Sequence, residues 1–195
     1  MVDERDKWNR IHSAAAQSAA EPARVLRNFE HLLPGTGAAL DLACGRGGNA
    51  LFLAARGLAT QAWDISDIAC AQLAAAALRQ GLTLDCVVRD VVAHPPDPES
   101  FDVIAVSHFL DRSICMPLQQ ALRRDGILFY QTFIEAAVDA GGPRNPAYRL
   151  QANELLRLFA GLQVIAYREE ARRGDTARGF RNEAMLVAAR TRGRT

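Results

Sequence analysis

Lysine is almost missing from this chain: Lys7 is the only one among 195 residues, and none of Tyr130, Tyr148 or Tyr167 is followed by a lysine four positions later. The acid–base pair of short-chain dehydrogenases therefore has no place here, and the G-x-x-x-x-G-K-[ST] loop of P-loop nucleotidases is absent as well. Neither H-E-x-x-H nor G-x-S-x-G occurs, which removes zinc-protease and serine-hydrolase chemistry. Excess charge is also missing. A net charge of +1 and a pI near 7.7 provide no basic surface for nucleic acid or an anionic membrane. No apolar run is long enough to span a bilayer, and the opening M-V-D-E-R-D-K-W is charged where a signal peptide would turn apolar, so a cytoplasmic protein is expected. The four cysteines, Cys44, Cys70, Cys86 and Cys115, form no C-x-x-C and no metal-ligand spacing. They read as buried free thiols, and no metal is expected.

What is present is an alternation of short apolar runs with alanine-rich helical stretches, the mark of a parallel α/β sheet covered on both faces. We expect one domain over residues 1–195, with a helical lid segment at 1–33 and a core at 34–195. The predicted fold is a Rossmann-like, doubly wound, seven-stranded and mostly parallel sheet with an antiparallel C-terminal strand. Strands are predicted near 38–42, 60–64, 83–89, 101–107, 126–133, 162–168 and 183–190. A helix is predicted from Ser66, a capping residue, to Gln80, with Gly81 after its end. Pro95, Pro96 and Pro98 require a loop before the fourth strand. The loop 140–146 is a lid candidate, a helix is expected at 151–160, and the arginines from Arg168 to Arg181 read as a solvated surface.

The densest signal is A-A-L-D-L-A-C-G-R-G-G-N-A at 38–50: an apolar strand, Asp41, then a turn loosened by Gly45, Gly47 and Gly48. Glycines there let backbone approach a ligand, and this is where nucleotide-like cofactors bind. Asp64 closes the next apolar run, at about the spacing at which a second strand presents a carboxylate to ribose hydroxyls. The turn also satisfies a relaxed dinucleotide fingerprint, so an NAD(P)-dependent oxidoreductase is the rival reading. Asp41 weighs against it, because a carboxylate below a pyrophosphate repels it, whereas a cationic ligand without phosphate is attracted.

With W-D-I-S at 63–66, R-D-V at 89–91, S-F-D-V-I at 100–104, H-F-L-D-R at 108–112 and G-G-P-R-N-P-A-Y at 141–148, the chain resembles the class I S-adenosylmethionine-dependent methyltransferases, in their small tellurite-resistance and thiopurine-methyltransferase-like branch. The resemblance implies S-adenosylmethionine as cofactor and S-adenosylhomocysteine as product. It implies that Asp41 and the backbone at Ala43, Gly45 and Gly47 hold the methionine end, that Asp64 takes the ribose and Ile65 packs on adenine, and that Asp90 and Val91 meet the adenine edge. Ala43 departs from the commoner glycine, and His12 stands where relatives often have an aromatic.

The acceptor is expected above the fourth and fifth strands. Ser107 borders the cofactor there, while Trp8, Phe109, Phe133 and Arg144 would line the pocket. His108 is the candidate general base and Arg112 a candidate for positioning the acceptor; a structural histidine and a surface ion pair are the plain alternatives. The implied chemistry is in-line displacement of the methyl by an S, Se, Te, O or N nucleophile of a small molecule. Proximity in a dry site can supply roughly 7–11 kcal/mol of such a barrier. A non-catalytic cofactor-binding module remains a second rival, and a monomer or homodimer is expected.

Overall fold

The computed structural model describes residues 4–14 and 21–191. Of the expected helical segment 1–33, residues 1–3 and 15–20 thus lie outside the described residues, and the rest is broken rather than continuous. Helix α1 spans Glu4–Ala14, α2 spans Arg24–Asn28, and a 3₁₀ turn covers Glu30–Leu32. Pro22 precedes the short second helix, and Ala23, extended at its N-cap, makes no side-chain cap.

Seven strands follow: β1 (Ala38–Leu42), β2 (Ala59–Asp64), β3 (Asp85–Val88), β4 (Phe101–Ser107), β5 (Leu122–Phe133), β6 (Gln163–Arg168) and β7 (Glu183–Ala189). They form one sheet in the order β3-β2-β1-β4-β5-β7-β6. Pairings from β3 through β5 are parallel, and β7 runs antiparallel between β5 and β6. This is the expected Rossmann-like, doubly wound sheet in a single domain, with six strands in one direction and β7 reversed. Buried residues fill both faces: Leu40, Leu42, Ile104 and Tyr130 on one, Ala39, Val103 and Phe129 on the other. The chain reverses its winding between β1 and β4, and the carboxyl ends of strands at such a switch point flank a crevice.

Helix α3 (Gly48–Ala54) and helix α4 (Asp67–Arg79) follow β1 and β2. Ser66 caps α4 as predicted, its hydroxyl accepting from the Ala69 N–H at 3.1 Å. At the other end Gly81 takes φ +66°, and the Leu82 N–H donates to the Ala77 carbonyl, a glycine-terminated helix end. The proline segment 95–98 is a loop. Helix α5 spans Cys115–Ala121, and the helix expected at 151–160 shrinks to α6, Glu154–Leu158.

Two expectations fail here. Strand β5 begins at Leu122 rather than 126, its register against β4 shifting between Phe101 and Val103. The arginine-rich connection is not uniformly solvated: the Arg181 side chain is 13% exposed, and its guanidinium donates to the carbonyls of Ala171, Arg173, Asp175 and Arg178. Those carbonyls belong to a loop with no partner strand, and one arginine satisfies them all. Among the described residues no helix is long and apolar enough to cross a membrane.

Candidate active site

Three residues of the turn after β1 have left-handed backbone: Ala43 at φ +52°, Gly45 at +50° and Gly47 at +74°. Gly47 is tightly packed, because a Cβ there would lie 2.2 Å from the Leu73 side chain on α4, which would have to shift. Gly45 faces the other way, toward α1, where His12 would meet an added Cβ at 3.5 Å.

Asp41 is 1% exposed, directly beneath this turn. Its Oδ2 accepts from the Ala50 N–H at 3.0 Å and its Oδ1 from the Asn49 side-chain amide at 3.1 Å. Burial pushes its carboxyl up to about 7, opposed by these two hydrogen bonds and assisted by the negative charge of Asp64. The charge is therefore delivered from below the turn, and its oxygens are already engaged by protein donors.

Asn49, in the first turn of α3, is a crosslink; the cap of α3 is Gly47. Its amide also donates to the Ser107 hydroxyl at 2.9 Å, and its Oδ1 accepts from the Ala23 N–H at 2.8 Å. One side chain thereby ties the turn, the end of β4 and the N-terminal segment together. Sequence reasoning missed this role, since only its position after the glycines marked it.

Asp64 ends β2 and is 7% exposed. Its two oxygens accept from the Gly45 N–H at 2.8 Å and the Ser66 N–H at 2.9 Å. A carboxylate has about four acceptor sites, so capacity for hydroxyl donors remains. Ile65 is half-buried beside it. Asp90 is exposed and shapes a turn, its Oδ1 accepting from the Val92 and Ala93 N–H groups, while Val91 is buried in the core.

Helix α1 covers the turn. Asn9 bonds Ser66 at 2.6 Å and Asp67 at 2.8 Å, and Trp8 stacks on His12 with ring centroids 6.0 Å apart. Trp8 stays at the surface rather than entering the core. His12 is buried, and its Nδ1 has no hydrogen-bond partner. The sequence marked it only as a departure from an aromatic, with no role at the turn.

On the acceptor side, His108 follows β4 with φ +56°. Its Nε2 lies 3.0 Å from Glu183 Oε1, and its ring packs on Phe133 at 4.9 Å. Phe133 and Glu183 are register partners in β5 and β7, which explains why both meet one histidine. The other Glu183 oxygen accepts from the Gln131 amide, whose carbonyl accepts from the Val25 N–H at 2.8 Å. Glu183 was not foreseen: 75 residues separate it from His108. These groups border a 260 Å³ cavity lined by Ala23, Arg24, His108, Gln131, Phe180 and Glu183, among others. Phe109 is half-buried against the core, its carbonyl accepting from the Tyr130 hydroxyl.

Arg112 has a different role from the one expected. It donates twice to Glu154, at 2.6 and 3.0 Å, and to the carbonyls of Ala147 and Arg149. The plain alternative, an ion pair, holds with Glu154 as the partner, while the neighbouring Asp111 caps the following turn at Ser113. A two-pronged bond to a carboxylate fixes guanidinium geometry, so Arg112 anchors the 134–150 loop to α6 instead of meeting an acceptor. Arg149 pins the same loop through the carbonyls of Ile134, Gly141 and Pro143. Arg144 is exposed on it.

Residues 39–126 match the family model for a methyltransferase domain. The matched stretch is somewhat under half of the chain. Solved structures agree in fold. One, described as the conversion of a disulfide bond into a thioacetal group during echinomycin biosynthesis, is 21% identical with a TM-score of 0.74, covering 97% of this chain and 93% of its own. TehB from Haemophilus influenzae is 20% identical with a TM-score of 0.69, over 94% of this chain and 67% of its own. A SAM-dependent methyltransferase from Aquifex aeolicus is 13% identical with a TM-score of 0.68, over 98% and 100%. No curated protein matches in sequence. The residues present suit S-adenosylmethionine: a turn of bare backbone, a buried carboxyl below it, and an unpartnered His12 nitrogen above.

Proposed function

We propose that the chain transfers a methyl group to a small-molecule acceptor held in the cavity beside His108, in the manner of the tellurite-resistance and thiopurine-like branch. The observation that carries this reading is the Asn49 crosslink. It fixes the cofactor turn, through Ser107 and Ala23, against the wall of the acceptor cavity.

When bound, the cofactor supplies an electrophilic methyl on a sulfonium. Asp41 contributes negative charge under that cation in a low-dielectric setting, where its effect is far larger than in water. Asp64 accepts ribose hydroxyls and, by holding the Gly45 N–H, keeps the turn open; Ile65, Asp90 and Val91 frame the adenine. Helix α1, with Trp8 and His12, and the 134–150 loop, with Arg144, exclude water. Phe109 and Phe133 shape the acceptor side. Most of the acceleration then comes from orientation, which requires no dense catalytic cluster.

The test is calorimetry with S-adenosylhomocysteine and with NAD or NADP, followed by a methyl-release assay over small acceptors. Heat with the thioether and turnover of an acceptor support the reading. Heat with a dinucleotide alone replaces it with the oxidoreductase, and binding without any turnover replaces it with a binding module.

A further inference from the structure

The cavity beside His108 has a chemical character that narrows its occupant. Its 260 Å³ falls below the ~300 Å³ at which pockets for drug-sized ligands begin, so a one-ring molecule fits better than a peptide or an oligonucleotide. Phe180, 2% exposed, supplies an apolar wall.

The charges around it are mostly committed. Arg27 lies 3.7 Å from Glu21, and Arg181 is spent on loop carbonyls. Arg24 differs. Its guanidinium stands 5.6 Å from the Phe180 ring centroid, and among the described residues no carboxylate pairs with it. The cavity therefore offers one cation over an aromatic wall, with a histidine–glutamate pair facing it.

That pair is built for proton transfer. Glu183 is fixed by the Gln131 amide, and Gln131 by the Val25 N–H, so the carboxylate has a defined direction. With Nε2 directed at Glu183 Oε1, the His108 lone pair is on Nδ1. A carboxylate behind an imidazole sets its tautomer and stabilises the cation formed when it takes a proton.

We propose, resting on the methyl-transfer reading above, that the acceptor is a small phenolic acid: His108 removes the phenol proton, Glu183 is the positioning residue behind it, and Arg24 meets the carboxylate. As the phenol oxygen forms its bond to the methyl carbon, the carbon–sulfur bonding pair passes to the sulfonium, giving a neutral thioether. The phenol proton goes to His108 Nδ1 and then to water, so charge balances without any oxidant or reductant. A phenol suits this base better than an alkanol, whose proton is far harder to remove near neutral pH.

The test uses 4-hydroxybenzoate, its thiol counterpart 4-mercaptobenzoate, and phenol and thiophenol without the carboxylate, read as S-adenosylhomocysteine formed at pH 8. An aryl thiol is already a thiolate there and needs no base. Glu183→Gln and His108→Gln are expected to lower kcat on 4-hydroxybenzoate about 100-fold, within the range for general-base loss, while changing kcat on 4-mercaptobenzoate less than about threefold. Arg24→Gln is expected to weaken 4-hydroxybenzoate binding about 10-fold by calorimetry with S-adenosylhomocysteine present, and to leave phenol unchanged. Equal losses on the oxygen and sulfur acceptors overturn the base assignment, and an unchanged 4-hydroxybenzoate affinity overturns Arg24. Heat with S-adenosylhomocysteine but no turnover of any hydroxybenzoate overturns the acceptor class alone; absence of that heat overturns the methyl-transfer reading beneath it.

Discussion

The two halves of the site are built by different means. The cofactor half, from β1 through the start of α4, is main chain and close packing: three left-handed residues in one turn, a glycine against Leu73, and two carboxylates gripping backbone N–H groups. The acceptor half is side chain. Gln131 and Glu183 come from β5 and β7 and His108 from just past β4, and Val25 joins them, 106 residues from Gln131. The first half is local in sequence and intolerant of added atoms; the second is long-range and open to chemical variation.

The largest effect should come from the cofactor half. Gly47→Ala combines a left-handed backbone with a Cβ 2.2 Å from Leu73, a cost of about 2–5 kcal/mol from conformational strain and overpacking together. Chemical denaturation should show it, and an unchanged midpoint would contradict the packing account. Next comes Asp64→Ala. Cofactor affinity should fall by about 100-fold, equivalent to about 2.7 kcal/mol. Because the variant also leaves the Gly45 and Ser66 N–H groups without their acceptor, stability should drop by about 1–3 kcal/mol. A loss of affinity with no loss of stability would separate the two roles of this carboxylate.

Smaller still, Arg112→Lys keeps the charge but loses the two-pronged grip on Glu154. It should lower the melting temperature while leaving the KM for the acceptor within about twofold; a KM increase would return Arg112 to the acceptor side. The smallest change is Ala43→Gly. It relieves left-handed strain of about 1–2 kcal/mol at an entropic cost of about 0.5–1 kcal/mol, so stability should rise by no more than about 1.5 kcal/mol. A clear destabilisation would mean that the methyl group of Ala43 packs usefully.

The same division explains what could be read from the chain. The strands, the Ser66 cap, Asp41 and Asp64 stand in short patterns whose physics is local, and the structure places both carboxyls at strand ends below and beside the turn. The reversed β7 was visible because β6 and β7 are separated by a polar, arginine-rich loop. Asn49, His12 and Glu183 were not visible in those roles, since each acts through partners brought close only by folding. Arg112 was misread for the same reason: Glu154, its partner, lies 42 residues on. Local motifs reveal local chemistry, and the acceptor half has few.

Asp41, whose carboxyl burial pushes up to about 7, receives a cation above it. A positive ligand must then lower the Asp41 pKa from about 7 and expel its proton. Titrating the protein with S-adenosylmethionine at pH 6 in two buffers of different ionisation heat should show release of close to one proton per site from Asp41, above whatever the cofactor's own amine contributes. At pH 8.5, where Asp41 is already ionised, that release should vanish, and Asp41→Asn should abolish it at both. Proton release that is the same in the parent protein and in Asp41→Asn at pH 6 would contradict the claim.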